Sequence, residues 1–175
     1  LEDWHPDILE FIDSKREAGK ITNANISVGI SDAFMEAVKN DWDWKLVFPN
    51  TSHPDYDKHW NGDIDLWFDA GHSVVTYKTV KARDLWNKII ESAWASAEPG
   101  IWFKGRSEHF SNSYYYPAGR LQATNPCGEQ PLPEWGVCNL GSINLSKFVN
   151  NNEVQWRELG ETIQVAIRFL DDVID

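Results

Sequence analysis

The sequence predicts an α/β fold, because β-rich segments alternate along it with amphipathic helices. Residues 25–30 alternate polar and apolar side chains, which predicts a strand. Residues 80–97 and residues 154–175 carry apolar side chains at helical spacing, and both segments are predicted to be long helices. The chain has 175 residues and no internal repeat, so we expect one domain over 1–175.

The N-terminal elements have recognisable boundaries. His5-Pro6-Asp7 precedes an apolar run and predicts the start of a helix, which Gly19 is expected to end. After the strand at 25–30, Ser31-Asp32 is predicted to cap a second helix with Phe34 on its apolar face.

The middle of the chain is less regular. Turn residues, Trp and charged residues predict an irregular insertion over about 40–78, with a short helix near 63–70 and a short strand at 74–77. Glu98-Pro99-Gly100 is expected to stop the helix at 80–97, and residues 101–103 are predicted to form a buried strand. Residues 136–140 could form a strand, and residues 143–149 a short helix or turn.

Composition excludes several classes of protein. The formal net charge of −11 argues against binding to a nucleic acid polymer, which needs clustered Lys and Arg. No apolar run approaches the roughly 20 residues of a membrane span. Two Cys and no secretory leader favour the cytoplasm. The chain starts without Met and stops directly after an amphipathic run, which indicates a piece of something longer.

The residues with the clearest chemical potential are Asn125-Pro126-Cys127-Gly128-Glu129. Pro126 stiffens the backbone and Gly128 allows a tight turn, so Cys127 is expected at the tip of a loop. If the loop is extended, Asn125 and Glu129 share its face with the thiol. Asn125 can donate and accept hydrogen bonds, and Glu129 can act as a general base. The alternative is a small buried Cys in a Pro-Gly turn, and these five residues alone leave both open.

A second polar group lies in the predicted insertion. His53 and His59, together with Asp55 and Asp57, could be imagined as a metal site. The polar loop around them favours a solvated surface instead, and no pair of Cys or His has the spacing of a zinc site. The sequence therefore predicts no metal centre.

The longer run favours a reactive Cys127 over a buried structural one. Residues 125–133 read Asn-Pro-Cys-Gly-Glu-Gln-Pro-Leu-Pro, and residues 138–145 read Cys-Asn-Leu-Gly-Ser-Ile-Asn-Leu. This run resembles the active-site stretch of ribonucleotide reductases, in the form of the motif that is typical of the adenosylcobalamin-dependent (class II) enzymes. Segments around His5, Asn25, Phe34 and residues 93–100 also look like barrel segments of that family.

The resemblance implies a fold, roles and a cofactor. The fold would be part of the ten-stranded α/β barrel of these enzymes, with a finger loop at about 124–134. Cys127 would become the thiyl radical that takes the 3′ hydrogen of the ribose, Glu129 would be the base toward the 3′-hydroxyl, and Asn125 would hydrogen-bond the ribose hydroxyls. Cys138 would be one of two reducing Cys, and the other is absent from this chain. Adenosylcobalamin would be the cofactor, although none of its contacts can be assigned here.

The implied partners are a ribonucleotide substrate, the remaining barrel segments, a thioredoxin-like reductant and a second copy in a homodimer. The effector loops are expected before Leu1, and much of the substrate phosphate site after Asp175. Two alternatives remain: a fragment of an oxygen-dependent class I catalytic subunit, or an inactive remnant or folded module. The isolated chain is expected to be inactive.

Overall fold

The computed structural model describes residues 1–16, 21, 23–116 and 119–174, without the side chains of Ser113 and Tyr114. The chain divides into two compact units, Leu1–Trp135 and Gly136–Asp175. Helices and strands occur in both units, as expected for an α/β chain. The position predicted to end the first helix, Gly19, lies outside the described residues.

Parallel strands organise the first unit. Strand β1 (Ser27–Gly29) pairs in parallel with β4 (Gly100–Trp102). On the other side of β1, Glu2 forms a parallel bridge with Gly29, and Asp3 donates its N–H to the Gly29 carbonyl. Three chain segments therefore run side by side in one direction, as in a sheet built from strand-helix-strand units.

Three helices form the core of the first unit: α1 (Ile8–Asp13), α2 (Asp32–Asn40) and α5 (Ala82–Ser96). The predicted cap of α2 is confirmed, because the hydroxyl of Ser31 accepts a hydrogen bond from the N–H of Phe34 at 3.1 Å. The buried apolar side chains of the core come from these helices, from β1 and the residue after it, and from the strand that follows α2: Ile8, Ile12, Val28, Ile30, Phe34, Ala37, Leu46, Ala82, Leu85 and Ile89.

The insertion is more regular than the sequence indicated. Strand β2 (Asp43–Pro49) pairs antiparallel with β3 (Val74–Lys81), and two short helices, α3 (Tyr56–His59) and α4 (Ile64–Asp69), lie between them. The short helix near 63–70 was predicted correctly. The irregular backbone predicted for residues 43–49 was wrong, because a β-bulge between Leu46 and Val47 interrupts the two-residue alternation that identifies a strand.

After β4 the chain forms α6 (Lys104–Phe110), a 3-10 helix (Asn112–Tyr115) and a hairpin of β5 (Leu121–Thr124) and β6 (Pro131–Pro133). The strand predicted at 101–103 is present as β4, but it is not buried. Ile101 is 39% exposed. An apolar run shows that a strand is suited to burial. Burial itself also requires other segments that pack against the strand.

The second unit contains a 3-10 helix (Leu145–Phe148), a small hairpin of β7 (Val149–Asn150) and β8 (Glu153–Val154), and helix α7 (Trp156–Asp172). The helix predicted over 154–175 is confirmed in its central part. Residues 136–140 form no strand, because this segment pairs with no other strand among the residues described. None of the helices in the described part of the chain is long and apolar enough to cross a membrane.

Candidate active site

The loop that carries Cys127 joins β5 to β6. In the ladder beside it, Thr124 pairs with Pro131 and Ala123 with Leu132, so the loop spans residues 125–130. Gly128 has φ of +81°, a conformation that residues with a Cβ rarely adopt. Its N–H donates to the carbonyl of Asn125 at 3.0 Å, which closes a tight turn around Pro126 and Cys127. The predicted tight turn at Pro126 and Gly128 is thus present.

Asn125 holds the two ends of the loop together. Its backbone N–H donates to the carbonyl of Gln130 at 3.0 Å, and its side-chain Oδ1 accepts from the N–H of Gln130 at 2.9 Å. Asn125 is only 5% exposed. The Oδ1 atom is therefore committed to the loop, and the Nδ2 group is the part of the carboxamide that is suited to donate to a ligand.

Cys127 and Glu129 lie on the exposed part of the same loop. An extended loop would have placed Asn125, Cys127 and Glu129 on one face, but the backbone folds back at Gly128 instead. The extended loop on which the shared face depended is therefore not present. The arrangement comprises an exposed thiol and an exposed carboxylate above a buried amide.

A cavity of about 600 Å³ lies beside this loop in the first unit. The loop contributes Asn125 and Pro126 to its wall, and strands β1, β4 and β5 contribute Ser27, Trp102 and Gln122. This volume is in the range of sites that hold small molecules. The cavity places a mixed polar and apolar surface next to the turn that presents the thiol.

Asn25 joins the loop to the segment before β1. Its Nδ2 donates to the carbonyl of Pro126 at 2.7 Å. The sequence analysis treated Asn25 only as part of a strand and missed this contact. A contact between residues so far apart in sequence leaves no local pattern, so the only available signal was a polar side chain next to a strand.

Cys138, the fourth residue singled out from the sequence, lies in the second unit. It is a free cysteine and is partly exposed. Nearby, Asn139 donates its Nδ2 to the carbonyl of Leu170 at 2.7 Å, which anchors this segment to α7. Cys138 is thus held on an irregular segment that is fixed by a helix, and its sulfur is available for thiol chemistry.

A buried carboxyl group lies at the base of the parallel strands. Asp3 is fully buried, and its Oδ2 accepts from the N–H of Ser31 at 2.6 Å. Among the residues that the structure describes, its Oδ1 has no hydrogen-bond partner. Burial raises the pKa of Asp3 to about 7, because a desolvated carboxyl disfavours the charged form. The sequence analysis did not identify this group.

The chemistry available at the loop follows from these positions. A thiol on an exposed turn can be reached by a reagent, an exposed carboxylate can accept a proton, and an amide in the wall of a cavity can hold a hydroxyl group. The described residues around the loop supply no cluster of metal ligands. The site is therefore equipped for thiol and acid-base chemistry on a small polar ligand.

Comparison with known proteins identifies the family. Residues 1–175 match the family model described as the ribonucleotide reductase barrel domain. The chain is 41% identical over 176 residues to the vitamin B12-dependent ribonucleoside-diphosphate reductase of Thermoplasma acidophilum, covering 98% of the chain and 19% of that protein. It is 37% identical over 177 residues to the enzyme of the same name from Mycobacterium tuberculosis, covering 100% of the chain and 22% of that protein.

A third relative is a large subunit from a virus. The ribonucleoside-diphosphate reductase large subunit of vaccinia virus is 32% identical over 184 residues, covering 100% of the chain and 24% of that protein. The chain thus spans about a fifth of the length of these relatives. The matches confirm the predicted fold class, part of the α/β barrel of this family. On this basis, the chain belongs to the ribonucleotide reductase barrel-domain family.

Proposed function

We propose that this chain is part of a ribonucleotide reductase that converts ribonucleoside diphosphates to deoxyribonucleotides by thiyl-radical chemistry. The observation that carries the proposal is the closed loop of residues 125–130, which carries Cys127 and contributes Asn125 and Pro126 to the wall of a cavity of about 600 Å³. The family match over residues 1–175 supports it.

Three residues of the loop and Cys138 have a role in this proposal. Cys127, as a thiyl radical, takes the 3′ hydrogen atom of the ribose and becomes a thiol. Glu129 accepts the proton of the 3′-hydroxyl, for which its exposed carboxylate is suited. Asn125 donates from Nδ2 to the ribose hydroxyls, because its Oδ1 already accepts from Gln130. Cys138 supplies one of the two reducing equivalents, and a second Cys must come from outside this chain.

Adenosylcobalamin is the cofactor that we propose for the complete enzyme. The two relatives that are named as vitamin B12-dependent are 41% and 37% identical to this chain, against 32% for the viral large subunit, which favours class II over class I. The exposure of Cys127 suits oxidation from outside the loop, and the bound cofactor would supply the radical that does this. No residue of this chain is assigned a contact to the cofactor.

The remaining partners follow from the same proposal. We expect residues 1–175 to be one part of a single catalytic-barrel domain, because the family model spans both compact units. Other barrel segments would cover α7, where Val165, Ile167 and Phe169 are 63 to 70% exposed. The complete enzyme is proposed to be a cytoplasmic homodimer that is re-reduced by a thioredoxin-like protein.

The test compares two cysteine variants of the complete enzyme that contains this chain, with adenosylcobalamin and a 3′-tritiated ribonucleoside diphosphate. Cys127→Ser should abolish both deoxynucleotide formation and release of tritium. Cys138→Ser should stop turnover but keep tritium release, because the hydrogen is taken before the reduction. Glu129→Gln should lower kcat roughly 10²- to 10⁴-fold, the usual effect of losing a general base. Deoxynucleotide formation by Cys127→Ser would refute the assigned radical site.

A further inference from the structure

Residues 50–73, the segment between β2 and β3, bring three histidines together. Pro49 pairs with Val74 at the end of the hairpin, so the two ends of this segment meet there. His53 lies near its beginning and His72 near its end. Their ring centres are 5.7 Å apart, and the ring centre of His59 is also 5.7 Å from that of His72. The sequence suggested a pairing of His53 with His59, and His72 was not singled out.

The atoms that could bind a metal ion converge as well as the rings. One ligand atom from each of His53, Asp55 and His72 lies within 4.8 Å of the other two, and Nδ1 of His53 is 3.8 Å from Oδ2 of Asp55. Two ligands of a tetrahedral zinc ion, with bonds of about 2.0 to 2.1 Å, lie roughly 3.3 Å apart. An inward movement of about 1 Å would therefore give bonding distances.

The spacing of the rings agrees with this geometry. Two imidazoles on one tetrahedral zinc ion have ring centres roughly 5 Å apart. The 5.7 Å between His53 and His72 is close to this value, and His59 offers a third imidazole beside His72. The partly exposed side chains of His53 and Asp55 have room to move toward His72.

Packing fixes the orientation of His72. Its ring lies 4.3 Å from the ring of Trp67 at an interplanar angle of 32°. Trp67 is only 2% exposed, and its Nε1 donates to the carbonyl of Ser73 at 3.0 Å. The backbone N–H of His72 also donates to the carbonyl of Trp67 at 3.2 Å. One ligand is therefore preorganised on a buried indole, which reduces the entropy lost on binding an ion.

His53 and Asp55 are held more loosely. The N–H of Asp55 donates to Nδ1 of His53 at 3.3 Å, a long hydrogen bond, and the two side chains are 43% and 40% exposed. The ring of His53 also contacts Trp67 edge-on, with 6.4 Å between the ring centres, so Trp67 holds both imidazoles on the same side as the carboxylate of Asp55. Two imidazoles and one carboxylate form a ligand set typical of zinc and similar first-row ions.

We propose that His53, Asp55 and His72 form a binding site for a divalent transition-metal ion of the zinc class. The ion joins the two ends of the segment 50–73 and leaves a fourth position for water or His59. This site is separate from the loop of Cys127 and does not depend on the function proposed for that loop. Its role is to stabilise the hairpin insertion, because binding to the folded state alone raises the free energy of unfolding.

The test is a calorimetric titration of Zn²⁺ into the untagged, chelator-treated chain. Cys127→Ser and Cys138→Ser are introduced first, so that thiols cannot bind the ion. We expect saturable binding of a single ion and a higher thermal unfolding midpoint in its presence. Co²⁺ should give the visible absorption bands of a four-coordinate ion at the same stoichiometry.

Two variants probe the ligands and one serves as the control. His53→Asn keeps an acceptor for the N–H of Asp55 but removes the imidazole, and Asp55→Asn removes the charge at nearly constant shape. Each should weaken Zn²⁺ binding at least roughly tenfold. Asp57→Asn removes an equal charge two residues away and should leave affinity unchanged. Far-UV circular dichroism checks that each variant is folded. No saturable binding, or equal affinity in all three variants, would overturn the proposal.

Discussion

The side-chain Oδ1 of Asn125 accepts a hydrogen bond from the backbone N–H of Gln130 at 2.9 Å, across the loop that presents Cys127. A second bond runs in the opposite direction, from the Asn125 N–H to the Gln130 carbonyl at 3.0 Å. The residue proposed to bind the ribose is therefore also the residue that closes the loop. Substitutions at position 125 will affect loop geometry as well as substrate contact.

Two substitutions of Asn125 separate these effects. Asn125→Ala removes the acceptor for Gln130, and a buried hydrogen bond contributes about 0.5 to 1.5 kcal/mol. The amide of Gln130 should then exchange with deuterium about two- to tenfold faster, as measured by NMR. Asn125→Asp keeps an acceptor oxygen and should exchange at nearly the original rate. Equal exchange in the wild type and Asn125→Ala would show that the side chain does not hold the loop closed.

Asp3 gives the fold a pH dependence of definite sign. Its pKa in the folded chain is about 7, against an ordinary value of 3.8, so between these values the folded state keeps a proton that the unfolded state has released. The stabilisation contributed by Asp3 is fully present below the pKa that its carboxyl has in the unfolded chain. It is lost as the pH rises through the pKa that the carboxyl has in the folded chain. The loss should be on the order of 2 to 4 kcal/mol.

Asp3→Asn removes the titrating carboxyl group but preserves the shape of the side chain and an acceptor for the N–H of Ser31. Urea unfolding of both proteins from about pH 5 to about pH 8 should show the variant gaining stability over the wild type as the pH rises. The comparison between the two proteins cancels the contribution of the other titrating groups. A difference that is constant with pH would mean that Asp3 is already ionised at pH 5.

Arg120 connects the insertion to the strand that leads into the loop. Its Nη1 lies 3.0 Å from Oδ2 of Asp63, and its Nε lies 3.1 Å from Oε1 of Glu108. Asp63 is 8% exposed and also caps α4 through the N–H groups of Asp65 and Leu66. Arg120→Met leaves this carboxylate without its cation and should cost about 1 to 2 kcal/mol in urea unfolding, a value reduced by the partial exposure of Arg120.

The matched control for this prediction is Lys39→Met. Lys39 lies 3.9 Å from Glu36, and their side chains are 76% and 53% exposed. Its removal should change the free energy of unfolding by less than about 0.5 kcal/mol. If both substitutions cost the same, the contacts of Arg120 with Asp63 and Glu108 contribute no more than a surface pair.

Local signals in the sequence predicted the local features well. Ser31 before an amphipathic run predicted a capped helix, and Pro126 and Gly128 predicted the turn. Features that depend on distant residues were missed: the bulged strand β2, the bond from Asn25 to Pro126 and the approach of His72 to His53. The sequence left open whether the loop is extended, because it does not show that Oδ1 of Asn125 is used within the loop. The roles of Cys127, Glu129, Asn125 and Cys138 remain predictions.

The two kinds of strand pairing described above differ in how many residues separate the paired strands along the chain. Residue 121 pairs with residue 133, whereas residue 27 pairs with residue 100. Closing the short hairpin is a microsecond event, but joining distant parallel strands requires a long loop to close first and is much slower. The hydrogen bonds that close the reactive turn therefore come from near neighbours and can form early, whereas the bond from Asn25 to Pro126 must wait until distant segments of the chain have come together.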